Sequence, residues 1–256
     1  MEIRGLIKFS LVDYPGKMSC VVFAGRCNFR CPYCHNPHLV LNPESQPEMR
    51  RGEFLSFLRG RRGRLDGVVL SGGEPTLHSG TPDFLRDVKS LGFLAKLDTN
   101  GAFPERAKAM VEDGLVDMLG VDYKAPAASY ADVAGLDDAD IAEKVRSLIA
   151  FAVERGLPMD VRTTVHRGIL SFDDLATMRK ELDAVGVDEW FLQQFHPAET
   201  LDPSFEGEAT YSDLELLEIA KRLGGGTKVR GVKIPESRYE RHMDEARSAS
   251  TELVAR

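Results

Sequence analysis

The chain is poor in long apolar runs, in net positive charge and in cysteine, and each shortage excludes something. No apolar stretch approaches the roughly 18 residues that a membrane-spanning helix needs. The opening residues, MEIRGLIKFSLVDYPGK, are interrupted by Lys8, Asp13 and Lys17 and lack the layout of a secretory signal, so the sequence predicts a cytoplasmic protein. Lys and Arg number 33 against 40 Asp and Glu, a net charge of -7. That balance offers no general attraction to phosphate backbones or anionic lipid, so neither nucleic acid nor membrane is the default partner. Repeats, low-complexity segments and a convincing domain linker are also missing. At 256 residues and 43% hydrophobic, the chain can build one large core or two small ones.

Only four cysteines are present, Cys20, Cys27, Cys31 and Cys34, and all fall in one short segment. In a reducing compartment such clustering points to metal ligands or catalytic thiols rather than disulfides. The segment CVVFAGRCNFRCPYCHNP carries three of them in the spacing CxxxCxxC. Three thiolates folded back in one loop can each reach a different corner of a [4Fe–4S] cubane and leave one iron open for chemistry; closed structural sites usually use four protein ligands. Rival readings remain for the loop itself. CPYC is also a thiol-redox motif, a reading that ignores Cys27. CPYCH fits the c-type haem pattern, which needs export. Zinc held by the three cysteines and His35 would explain the residues without any reaction. Cys20, alone on a strand, reads as a small core residue.

Short β-branched runs alternate with amphipathic segments. Strands are expected at 18–24, 67–71, 93–98, 118–123, 159–165 and 189–195, and helices at 48–59, 82–90, 104–113, 139–155, 172–185 and 212–223. Six successive βα units imply a parallel α/β sheet, as a partial barrel or a doubly wound sheet. The expected division is residues 1–200 as the barrel with its cysteine loop, and 201–256 as a C-terminal helix with a charged tail beginning near Arg238.

Polar motifs sit at the C-terminal ends of these strands, the catalytic rim of a βα barrel. The second strand ends in SGGEPTL, the third in DTNG and the fourth in VDYK. The fifth carries Arg162 in VRTTV, and the sixth runs into QQFHP with His196. Each has a plainer explanation alone: GGE is a common turn, DTNG an Asx turn, and a single rim histidine is often structural. Repetition at strand after strand is what those explanations leave out. The one basic block, Arg50, Arg51, Arg59, Arg61, Arg62 and Arg64, suits an acidic electron donor, although a solvated helix end is the plainer reading.

With Tyr33 before the third cysteine and GGE about forty residues on, the chain resembles the radical S-adenosylmethionine (SAM) superfamily. SLVDYPGKMSCVVF leading into CNFRCPYCHNP is similar to the activating enzymes of glycyl-radical proteins, nearest to the anaerobic ribonucleoside-triphosphate reductase activating branch and also similar to pyruvate formate-lyase activase. The resemblance implies an incomplete (β/α)6 TIM-like barrel, a [4Fe–4S] cluster on Cys27, Cys31 and Cys34, and reductive cleavage of SAM to a 5′-deoxyadenosyl radical that makes a glycyl radical on a partner enzyme. It gives Gly72, Gly73 and Glu74 the SAM amino group, Lys124 the SAM carboxylate, and Asp98 with Asp122 a monovalent cation. Tyr33, His35, Asn100, Arg162 and His196 complete the expected cofactor contacts, and a flavodoxin or ferredoxin is the implied electron donor. Other classes stay open: a radical SAM enzyme acting on a small molecule or RNA, such as one resembling 7-carboxy-7-deazaguanine synthase, or a zinc or thiol-redox module. Two departures stand out. AGR precedes the first cysteine where the family usually has QG, and there is no second cysteine cluster.

Overall fold

The computed structural model describes residues 1–207 and 210–233. In chain order the elements are β1 (Ile3–Ser10), β2 (Ser19–Ala24), α1 (Pro37–Leu41), α2 (Arg51–Arg59), β3 (Gly67–Gly72), α3 (Thr81–Ser90), β4 (Leu94–Thr99), α4 (Pro104–Glu112), β5 (Met118–Asp122), α5 (Tyr130–Ala134), α6 (Ile141–Glu154), β6 (Met159–Val165), α7 (Phe172–Ala184), β7 (Trp190–Gln194), α8 (Asp213–Leu223) and β8 (Thr227–Arg230). All strands lie in one sheet in sequence order, with β1 antiparallel to β2 and every later pairing parallel. Among the described residues no pairing joins β8 back to β1, so the sheet does not close, and the architecture is the incomplete (β/α)6 barrel of the radical SAM type. No described helix is long and apolar enough to cross a membrane.

The six expected strands and six expected helices appear within a few residues of their predicted bounds. Pro at the first turn opens α1, α3 and α4, where its missing N–H costs nothing. Ser171 and Ser212 cap α7 and α8 through reciprocal Ser–Asp and Ser–Glu pairs. The edges were not foreseen. β1 mixes charged and apolar residues without clean alternation, and only its end residues Ile3 and Ser10 are buried. β8 is four residues of mixed character whose strand state rests on pairing with β7. Within the expected second unit, α8 packs against β7 and β8; the charged tail from Arg238 lies outside the described residues.

Strand alternation sorts the side chains into two compartments. One set, including Cys20, Val22, Val68, Leu70, Ala95 and Leu97, packs outward against the helices in the main core. The other faces the lumen. Tyr14, from the β1–β2 hairpin, packs there with Val21, Val69 and Met118 and floors the barrel with apolar groups. Above that floor the lumen-facing positions become charged: Lys96 and Asp98 on β4, Asp122 on β5, Asp160 and Arg162 on β6, and Arg230 on β8.

Candidate functional site

β2 delivers the chain to the rim as a buried apolar strand, and Arg26 then turns it sharply. Arg26 is the only described non-glycine residue with positive φ, 65°, in a region that disfavours L side chains. The kink aims its carbonyl at β3, where it accepts from the Glu74 N–H at 2.8 Å, while the Arg26 N–H donates to Leu39 at 2.7 Å. The cysteine loop is held at other points as well. Arg30 N–H donates to Ala134 at the end of α5, and Leu201 and Asp202 N–H groups donate to the Cys34 and Pro32 carbonyls. A tight turn, Cys34 N–H to Cys31 O at 3.1 Å, folds CPYC back on itself.

Cys27, Cys31 and Cys34 are unpaired and border one cavity of about 200 Å³. Among the described residues, no three His, Cys, Asp or Glu side chains converge on a single ion position. Burial pushes the Cys27 thiol up to about 12 and raises Cys31 as well. An attacking redox cysteine needs the opposite shift; a thiol raised by burial becomes a thiolate when a metal centre supplies positive charge. Cys20 is fully buried in the outer core, away from this cavity, as expected of a small core residue. The donor set therefore fits a cluster held by three cysteines with one open position.

β3 supplies the opposite wall through Gly72 and Gly73. A Cβ at Gly73 would stand 1.9 Å from the Arg26 carbonyl oxygen, and one at Gly72 2.4 Å from the Ala24 nitrogen. Glycine here lets the strand end and the cysteine loop touch. The adjoining Glu74 behaves differently from its neighbours. It is fully buried and does not border the cavity. One carboxylate oxygen accepts from Thr76 N–H at 2.9 Å and from the Thr76 and Thr99 hydroxyls; the other accepts from Asn100 N–H at 2.7 Å. Asn100 in turn donates its side-chain amide to Asn28 at 2.9 Å, with Cys27 Sγ at 3.8 Å. GGE, DTNG and the cysteine loop are thus one hydrogen-bonded unit, with Glu74 beneath it.

Charged groups complete the wall. Asp98, Asn100, Asp122, Lys124 and Arg162 border the same cavity as the cysteines, as do Tyr33 and His35. Arg162 reaches Asp98 at 3.1 Å and Asp122 at 2.8 Å, and Lys124 Nζ lies 3.7 Å from Asp122. Burial alone would raise the Asp98 carboxyl, but Arg162 and Lys96 hold it below its usual range. Burial likewise opposes the Lys124 ammonium, which Asp122 nevertheless keeps well above its ordinary value. His196 is exposed and borders a second, neighbouring cavity rather than the first; that cavity also shares Asp98 and Arg162. His35 stacks on Phe195 with centroids 4.9 Å apart.

Lys96, Asp160 and Arg230 also belong to the charged lumen and were not singled out from the sequence. A signal existed: charged residues alternate with apolar ones at Lys96 and Asp98 on β4 and at Asp160 and Arg162 on β6. The basic block divides. Arg50 pairs with Glu53 and Arg51 with Asp87 at the start of α2. Arg59 ends α2, and Arg61, Arg62 and Arg64 follow it just before β3, at the opposite pole from the cysteine loop.

Comparison with known proteins follows the same lines. Residues 21–180 match the sequence profile of the Radical SAM superfamily. A protein of Methanocaldococcus jannaschii, provisionally named a glycyl-radical enzyme activating enzyme, is 30% identical over 86% of this chain and 90% of its own length. The PqqA peptide cyclase of Methylorubrum populi is 34% identical over 59% of this chain, which spans 40% of that protein. In structure, Streptococcus suis SuiB bound to S-adenosylmethionine superposes with a TM-score of 0.64 at 12% identity, over 82% of this chain and 50% of SuiB.

Proposed function

Because the chain belongs to the radical SAM superfamily, an enzyme family that uses a [4Fe–4S] cluster and SAM, we propose that it is an activase that installs a glycyl radical on a partner protein. The observation that carries this reading is the nearly end-to-end match to the archaeal activating enzyme; the cyclase and SuiB both extend far beyond the matched region. Anaerobic ribonucleotide reductase or a pyruvate formate-lyase-like enzyme is the partner class that the N-terminal motifs favour. A peptide-modifying activity is the second reading, and similarity to the peptide cyclase is what favours it.

In this reading Cys27, Cys31 and Cys34 would hold the cluster, which once reduced by the electron donor would supply the electron that cleaves SAM to methionine and a hydrogen-abstracting 5′-deoxyadenosyl radical. The protein's own contribution is placement and shielding. Backbone at Gly72 and Gly73 lines the pocket for the amino end of SAM, and Lys124 offers its ammonium to the carboxylate end. Glu74 acts one step back, as a positioning residue that fixes the N–H of Asn100 and the loop around it. Among the described residues β1 and β8 do not pair, and the gap between them is where a glycine-bearing loop would approach. The electron donor, a flavodoxin or ferredoxin, belongs on the cysteine-loop face. Arg59 to Arg64 lie a strand's length away, roughly 20 Å for six residues at about 3.3 Å each, which speaks against the basic block as its dock.

The test is anaerobic reconstitution with iron and sulfide, reduction, and EPR with and without SAM, followed by incubation with candidate partner proteins. A reduced-cluster signal that shifts with SAM, 5′-deoxyadenosine in the products and a new glycyl-radical signal in the partner would support the activase. 5′-Deoxyadenosine formed only with a free peptide would favour the second reading. Wild type and a triple Ala variant at the three cysteines that both lack a cluster signal would overturn the assignment of the ligands.

A further inference from the structure

The two carboxylates that the resemblance assigns to a monovalent cation already face cationic nitrogens at all four oxygens. Asp98 has Lys96 Nζ at 2.7 Å on one oxygen and the Arg162 guanidinium at 3.1 Å on the other. Asp122 has Arg162 Nε at 2.8 Å on one and Lys124 Nζ at 3.7 Å on the other. Lys96 is 1% exposed and is the least expected of these groups, being an ammonium inside the barrel. The backbone makes room for the arrangement. At Gly120 on β5, a Cβ would stand 2.1 Å from the Asp98 carboxylate oxygen and 2.9 Å from Arg162.

We propose that Lys96, with Arg162, is a tethered cation that takes the place of a dissociable monovalent ion beside the SAM cavity. The ion pairing supports it: Lys96, Arg162, Lys124 and Arg230 occupy the carboxylate oxygens of Asp98, Asp122 and Asp160 that a dissociable cation would need as ligands. Pairing between β4 and β6 side chains also fixes Lys96 from two sides, since its ammonium lies 3.4 Å from Asp160 as well.

The inference rests on Asp98, Asp122 and Lys124 flanking bound SAM, and its test separates that premise from the conclusion. SAM affinity of the reconstituted wild-type protein is measured by anaerobic equilibrium dialysis in potassium, sodium and choline chloride at one ionic strength, with thermal midpoints in the same salts. The expected wild-type result is a dissociation constant that changes by less than about twofold and a midpoint indifferent to the cation, because no ion-specific site exists. Lys96→Met keeps most of the stem and removes the charge; it is expected to gain a potassium or sodium dependence of about fivefold or more in SAM affinity as an ion enters beside Asp98. Lys96→Arg should restore indifference. A wild-type midpoint or SAM affinity that rises with potassium or sodium over choline overturns the proposal, and the midpoint reports this even where SAM binds elsewhere. A folded Lys96→Met protein still indifferent to the salt overturns it equally.

Discussion

Replacing Gly73 with Ala tests whether strand β3 and the cysteine loop are in obligatory contact. The added Cβ would stand 1.9 Å from the Arg26 carbonyl oxygen and 2.6 Å from its carbon, where contacts under 3.0 Å essentially never occur. The two segments must therefore separate by at least 3.0 − 1.9 = 1.1 Å. Neither can give freely. Arg26 is pinned by its N–H to Leu39 and by its carbonyl to the Glu74 N–H, and each such bond contributes about 1 kcal/mol. Overpacking of this kind costs about 1–3 kcal/mol, and each kcal/mol lowers the melting midpoint of a chain this size by roughly 2–4 °C. Because Cys27 follows Arg26 directly, the displaced loop should also carry its thiol away from the other two, and misplacement of about 1 Å at a positioned group can cost on the order of 100-fold in rate. The assay is thermal melting together with iron and sulfide per chain after anaerobic reconstitution, compared with Gly52→Ala. Gly52 has nothing within 4 Å of a built Cβ and lies in α2, so that variant should melt at or slightly above wild type. Wild-type melting and full cluster content in Gly73→Ala would refute the contact.

Arg26→Gly should leave stability unchanged or raise it by up to about 1 kcal/mol, since relief of left-handed strain exceeds the added freedom of the unfolded chain; a loss above 1 kcal/mol on urea unfolding would count against strain at this residue. Asp160 supplies an acid-sensitive term. The carboxyl is buried, which alone would raise it, but Arg230 and Lys96 hold it at about 2 against 3.8 for the free group. A depressed carboxyl stabilises the fold fully above pH 4 and loses that contribution as pH falls towards 2, a term of about 2 kcal/mol. Urea unfolding from pH 6 to pH 2.5 should therefore fall less steeply for Asp160→Asn, and parallel slopes would show that Asp160 does not titrate in this way.

The sequence made the barrel legible because parallel strands buried on both faces read as apolar runs, and because Pro and Ser starts with Gly ends bracketed the helices between them. It made the rim legible because motif after motif fell at a strand end. What stayed hidden was which way each polar side chain is satisfied. GGE is one string of letters, yet its glycines border the cavity while Glu74 turns under the loop to collect donors from Thr76, Thr99 and Asn100. That division depends on Thr99 and Asn100 in the next strand-end loop, which no local pattern contains. Lys96 makes the same point from the other side. A lysine two residues before Asp98 looks like an exposed strand residue until Asp160, sixty-four positions later, is placed opposite it. The charged lumen is therefore a property of strand register: β4 and β6 both flank β5, and that places Lys96 and Asp98 across from Asp160 and Arg162. Gly120 leaves the space between them open. An Ala at position 120 would meet the Asp98 carboxylate directly, so the smallest residue on β5 is what allows the largest concentration of buried charge in the barrel.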